Sequence, residues 1–129
     1  MKKPEIYLDH AATTYVDPRV TAEMEPYFTV EYGNPSSLYR LGRRAKEAID
    51  GARTRIAKIL HSKADEIIFT GSGTESDNLA IFGILRMNAL PGEKKGHIVT
   101  SVIEHHAVLH AVEALEKEGF EITKVPVSE

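Results

Sequence analysis

Strand-like and helical patterns alternate through the second half of this chain. Short runs rich in β-branched and aromatic residues lie at 67–70, 97–102 and 120–127, and the segments between them, 74–88 and 106–118, carry apolar residues at helical spacing. A turn is predicted at 91–96, and Gly119 is expected to stop the helix at 106–118. Strands that alternate with helices predict an α/β fold, a sheet with helical crossovers. Because only three or four strands are predicted, we expect this sheet to be incomplete.

A first helix is predicted after Asp17, which can cap it, with Pro18 at the first helical position. Val20, Met24 and Phe28 form its apolar stripe. A proline at position 26 is expected to kink or shorten this helix.

The longest helix is predicted after the loop GNPSS at 33–37, in which Ser36 or Ser37 is expected to be the cap. Apolar residues recur along it at helical spacing: Leu38, Leu41, Ala45, Ile49, Ala52, Ile56 and Ile59. Residues 6–8 are a candidate extended stretch. We therefore divide the chain into an N-terminal extended segment, 1–15, and one domain, 16–129.

Composition excludes several classes of function. The net charge is −3 with no cationic stripe, which argues against nucleic-acid binding. The absence of cysteine excludes disulfides, thiolate metal sites and a thiol nucleophile within these residues. The N-terminus has no apolar signal region, and no apolar run is long enough to span a membrane. We expect a cytoplasmic protein.

A glycine-rich turn, TGSGT at 70–74, separates a predicted strand from a predicted helix. Ser72 and Glu75 fit a capping box, and Gly71 and Gly73 are expected to supply unusual backbone angles and room for a ligand. The N–H groups of the first helical turn, with the Thr74 hydroxyl, predict a phosphate site. The alternative is that glycine and serine only turn the chain and cap the helix.

Two nucleotide-binding motifs fail at this turn. A Walker loop needs a lysine after its last glycine, and none is present. A dinucleotide motif needs a third glycine where Ser76 stands.

Three histidines lie at the start of the last predicted helix. His106 and His110 have the i, i+4 spacing of a metal chelate, but the HExxH pattern is absent and we assign no metal site. A second interpretation is one helix-capping and two surface histidines. A third is that one ring faces a planar aromatic ligand beside the phosphate, which points towards pyridoxal phosphate.

Four motifs occur together and in order: YLDHAATT at 7–14, YGNPSS at 32–37, FTGSGTESDNLAI at 69–81 and IEHHAVL at 103–109. With these spacings the chain closely resembles the N-terminal third of the NifS/IscS-type cysteine desulfurases, pyridoxal-phosphate enzymes of the class V aminotransferase group. The resemblance implies the fold type I architecture, with this chain as the N-terminal part of its large domain. It also implies that Gly73 and Thr74 bind the cofactor phosphate. His105 would stack on the pyridine ring and act as a catalytic residue that relays protons.

The implied reaction removes sulfur from L-cysteine, leaving L-alanine and an enzyme persulfide for iron–sulfur cluster or thiocofactor assembly. The resemblance further implies a homodimer and a sulfur-acceptor scaffold protein as partners. The family's Schiff-base lysine, in a Ser-x-His-Lys context, and its persulfide cysteine are both absent from these residues. The chain is therefore expected to be inactive alone, as a fragment or as half of a split enzyme with a companion chain.

Two alternatives stay open at this point. One is another class V enzyme, such as a selenocysteine lyase. The other is a non-catalytic scaffold, in which a half-domain binds no cofactor.

Overall fold

The computed structural model describes residues 6–89 and 95–128. They pack into two compact units, Met1–Ile67 and Ile68–Glu129. Residues 6–17 form no helix or strand, and a boundary after residue 15 stays a prediction.

The first helix, α1, spans Pro18–Thr29 with Asp17 as its N-cap, as predicted. The Asp17 carboxylate accepts the backbone N–H of Arg19 at 2.8 Å and the Arg19 guanidinium at 2.7 Å. These bonds, that of the Arg19 side chain foremost, hold the pKa of Asp17 below its ordinary value. Pro26 lies within the helix, which ends one turn later.

The second helix, α2, spans Arg40–Ile59, and its N-cap is Tyr39. The prediction that Ser36 or Ser37 caps this helix was wrong, because both residues belong to a turn organised by Asn34. The Asn34 side-chain oxygen accepts the N–H of Ser36 at 2.9 Å, and its backbone oxygen accepts that of Ser37 at 3.0 Å. The turn therefore places both serines before Tyr39, and the first helical residue is Arg40.

Small residues let this loop lie directly on α2. The buried residues of the helix are Gly42, Ala45 and Ala57. A methyl group on Gly42 would lie 2.6 Å from the backbone oxygen of Asn34 and closer still to that of Ser37. The two backbones meet at Gly42 because it has no side chain.

Residues 67–70 form no strand in the structure, so the strand predicted there was wrong. A strand exists only through pairing with a neighbour, and among the described residues this stretch pairs with none. Ile68 is 68% exposed and Phe69 47%, so the apolar run is not buried either. The apolar composition of residues 67–70 therefore predicted a buried strand that does not form among the described residues.

The second unit contains one crossover. Helix α3 spans Gly73–Met87, strand β1 His97–Ser101, helix α4 His106–Lys117 and strand β2 Glu121–Val125. The strands pair in parallel, with His97 opposite Glu121 and Ser101 opposite Val125. This confirms the predicted α/β connection, whereas most of the turn predicted at 91–96 lies outside the described residues.

The core of this unit is one face of α4. Ala107, Ala111, Val112 and Leu115 are buried there with Phe120, and Leu115 is fully enclosed. The helix ends at Lys117, and Gly119, the residue after its C-cap, has a φ of +94° that suits glycine and stops the helix, as predicted. No helix in the described ranges is long and apolar enough to cross a membrane.

An ion pair joins the C-terminal ends of α3 and α4. The Arg86 guanidinium binds both carboxylate oxygens of Glu118, at 2.6 and 3.2 Å, and lies 4.2 Å from the centre of the Phe82 ring. Hydrogen bonding to Arg86 is the main reason that the pKa of Glu118 lies below its ordinary value. The pair ties together the two helices whose other ends form the site described below.

We predict that Gly42→Ala destabilises the chain by about 1–3 kcal/mol, because the added methyl group overlaps the loop backbone. Gly51→Ala in the same helix is the matched control, since its methyl group would have only the end of the Arg55 side chain nearby, at 3.8 Å. The control is expected to be neutral or stabilising by up to about 1 kcal/mol. Urea unfolding measures both, and equal stabilities would contradict the close packing at Gly42.

We predict that the Arg86–Glu118 pair stabilises the fold above pH 4.5, the ordinary pKa of Glu118, and is lost as the pH falls through the lowered pKa. Glu118→Gln should therefore melt below the wild type at pH 7, and the two melting temperatures should converge at pH 3. Glu116→Gln, at a carboxylate with no ion pair among the described residues, should match the wild type at pH 7. A constant offset between Glu118→Gln and wild type at both pH values would exclude this linkage.

Candidate functional site

The N-terminus of α3 is fixed by two side chains. Ser72 is the N-cap, and its hydroxyl accepts the backbone N–H of Glu75 at 3.2 Å. Glu75 in turn accepts the N–H of Gly71 at 2.7 Å. The serine half of the predicted capping box is confirmed, but the glutamate binds the amide one residue before the cap, Gly71 rather than Ser72.

The two glycines of the turn have ordinary backbone angles. Gly119 is the only glycine with positive φ in the described part of the chain, so the unusual angles predicted for Gly71 and Gly73 were wrong. A methyl group on Gly73 would meet nothing within 4 Å. The space beside Gly73 at the N-terminus of α3 is therefore open, and the turn does not require a glycine at this position for its backbone angles.

The first turn of α3 carries hydrogen-bond donors that have no partner in the described structure. The backbone N–H groups of Gly73 and Thr74, and the Thr74 hydroxyl, have no acceptor among residues 6–89 and 95–128. The first amides of any α-helix have no partner within the helix, and the helix dipole favours an anion beside them. Glu75 already accepts the Gly71 N–H, so that amide is not available to a phosphate, whereas those of Gly73 and Thr74 are.

His105 begins the second helix of the site. It is the N-cap of α4, and its Nδ1 accepts the backbone N–H of Ala107 at 3.1 Å. This bond requires the neutral ring with its proton on Nε2. The helix-capping histidine expected as one interpretation is thus confirmed, and the same bond fixes how the ring is held.

His106 and His110 are exposed, as the same interpretation expected. Their rings stack, with centres 5.2 Å apart and planes inclined by 27°. Within the described ranges no three metal-binding side chains of the His, Cys, Asp or Glu type come together. The spacing that resembled a chelate is used here for ring stacking.

Both helix N-termini open onto one cleft of about 390 Å³. Thr74 from α3 and His105 from α4 line it, and the stacked histidines extend it along α4. Asn78 and Phe82 also line the cleft, and neither was selected as a site residue from the sequence. Residues four apart from Thr74 share its helix face, and this periodicity is the signal that could have found both.

The cleft has the size of a small-molecule site, and groups suited to two parts of pyridoxal phosphate, its phosphate and its ring, lie at or beside it. Free N–H groups beside the open space at Gly73 suit a phosphate, and an oriented imidazole suits a flat ring. The residues present therefore fit this cofactor, while the individual roles of Gly73, Thr74 and His105 stay predictions.

The sequence profile of the aminotransferase class-V family matches residues 6–129. The chain belongs to this family. A cysteine desulfurase IscS of Clostridium botulinum (strain Hall) is 50% identical over 126 residues, which are 97% of this chain and 31% of that protein. This chain thus spans about a third of the length of the curated relatives that it matches.

Solved structures agree with the fold. A structure described as SspA in complex with cysteine superposes with a TM-score of 0.81 at 39% identity, covering 92% of this chain and 33% of the other. A NifS-like protein superposes with a TM-score of 0.80 at 36% identity, covering 95% and 33%. The predicted family and fold class are confirmed, with the described sheet limited to two strands.

We predict that His105→Ala destabilises the chain by about 1 kcal/mol through loss of the N-cap bond, whereas His105→Asn keeps the stability because asparagine is a good N-cap. His106→Ala, at a ring without a hydrogen bond in the described structure, should change stability by less than about 0.5 kcal/mol. Chemical unfolding of the three variants checks this. Equal losses for His105→Ala and His105→Asn would show that the cap bond does not contribute.

Proposed function

We propose that the chain forms the N-terminal part of a pyridoxal-phosphate-dependent cysteine desulfurase, which converts L-cysteine to L-alanine and an enzyme persulfide. The observation that supports this most is the shared cleft, which Thr74 and His105 both line. Gly73 precedes Thr74 in the first turn of α3 and does not itself line the cleft. Relatives named cysteine desulfurase are similar to nearly the whole chain, and a neighbouring structure is described as a complex with cysteine.

The chain's own residues have binding and orienting roles in this proposal. Gly73 and Thr74 hold the phosphate through two backbone N–H groups and one hydroxyl. His105 covers the ring and presents Nε2–H, which can exchange a proton with the substrate side of the site. When bound, pyridoxal phosphate supplies an electron sink that stabilises negative charge at the substrate α carbon.

The lysine that would anchor the cofactor and the cysteine that would carry sulfur are not among these residues, since the chain has no cysteine and no Ser-x-His-Lys stretch. We propose that further polypeptide of the same fold supplies both, in the same chain or in a companion chain. Apolar side chains support this. In α1, Val20, Met24 and Phe28 are 49%, 45% and 71% exposed, which is unusual for a surface without a partner.

A homodimer, a sulfur-acceptor scaffold protein and a cytoplasmic location belong to the same proposal. The homodimer and the scaffold partner rest on the resemblance to the desulfurases, in which sulfur bound as a persulfide must pass to another molecule.

The cofactor site is tested by the affinity of the chain for pyridoxal phosphate, measured by equilibrium dialysis. Thr74→Val, which keeps the side-chain shape and removes one donor to a charged group, should weaken binding roughly tenfold. His105→Asn, which keeps the helix cap and removes the ring, should weaken it about threefold to tenfold.

Thr54→Val and His61→Asn are the matched controls, since both residues lie in the first unit and outside the cleft. They should leave the affinity unchanged. Wild-type affinity in both site variants would overturn the assignment of Thr74 and His105.

A further inference from the structure

One side chain joins the two helix N-termini of the cleft. The Asn78 amide nitrogen donates to the backbone oxygen of Thr74 at 2.8 Å and to that of Ala107 at 3.4 Å. A side-chain amide has two N–H donors, and here one serves α3 and the other serves α4. Asn78 therefore bonds to both helices at their first turns.

The bonds of Asn78 continue to the site residues on each side. Thr74, its acceptor on α3, is also the residue with the free hydroxyl. Ala107, its acceptor on α4, is buried, and the N–H of Ala107 donates to the ring of His105. A continuous path of hydrogen bonds and peptide units thus runs from the phosphate donors through Asn78 to the imidazole.

We propose that Asn78 is a positioning residue, which fixes the distance between the donors of Gly73 and Thr74 and the ring of His105. This inference rests on the proposed function, because the distance matters for a ligand that spans both places. Groups held in place before binding cost less to order when the ligand arrives. Asn78 acts through Thr74 and Ala107 and needs no contact with the ligand.

The chain contains a matched control for this role. Asn88 donates to the backbone oxygen of Ile84 at 2.7 Å, the same bond to the residue four before it that Asn78 makes to Thr74. It is the C-cap at the other end of α3, and within the described residues it makes no hydrogen bond to α4. Comparing variants of the two asparagines therefore distinguishes the effect of losing a bond within α3 from the effect of losing the bond between α3 and α4.

The test compares two ligands on the full chain, pyridoxal phosphate, which spans the cleft, and inorganic phosphate, which needs only α3. Asn78→Leu should weaken binding of pyridoxal phosphate about tenfold and change that of phosphate by less than about twofold. Asn88→Leu should change neither, and Asn78→Gln, which keeps both amide donors, should restore part of the loss. An equal effect on both ligands, or equal effects of the two leucine variants, would overturn the proposal.

A second measurement tests the bond without any ligand. Asn78→Leu should speed amide hydrogen exchange at Ala107, Val108 and Leu109, relative to the buried amides of Val112 and Leu115. Asn88→Leu should not. Unchanged exchange in the first turn of α4 would reject the positioning role, whether or not the wild type binds pyridoxal phosphate. Failure of the wild type to bind pyridoxal phosphate would count against the proposed function instead.

Discussion

Burial of one face of α4 holds the second unit together. Leu115 and Val112 are the most completely enclosed large side chains of the described structure, and the helix that carries them packs against α3 and β2. Burying such side chains contributes roughly 1.5–3 kcal/mol each, more than the surface hydrogen bonds around them. The same face begins at Ala107, so the packing that forms the core also sets where His105 is held.

The parts of the fold that depend on neighbouring residues could be predicted from the sequence. Asp17 before Pro18 and Ser72 before Glu75 mark helix starts by local chemistry, and Gly119 marks a helix end. The two parallel strands followed from their composition and their spacing around α4. These features need only a few residues to be specified.

Two of the failed predictions depend on contacts with other residues, which cannot be read from the local sequence. Residues 67–70 have the composition of a strand, but a strand also needs a partner. Ser36 and Ser37 have the right chemistry for a cap, but the turn at Asn34 places them two or three residues before the position where the helix is capped, Tyr39. Of the residues that line the cleft, the sequence predicted Thr74 and His105 and missed Asn78, whose bond to Ala107 forms only when α4 lies beside α3.

The parallel pairing of β1 and β2 has a further consequence. Each strand uses one edge for its partner, and the outer edges pair with no strand in the described part of the chain. An unpaired edge presents backbone N–H and C=O groups at regular spacing and can accept another strand of almost any sequence. The backbone groups at these edges can therefore bind an added strand without specificity for its sequence. Specificity for the added strand has to come from the side chains on the two faces of the sheet.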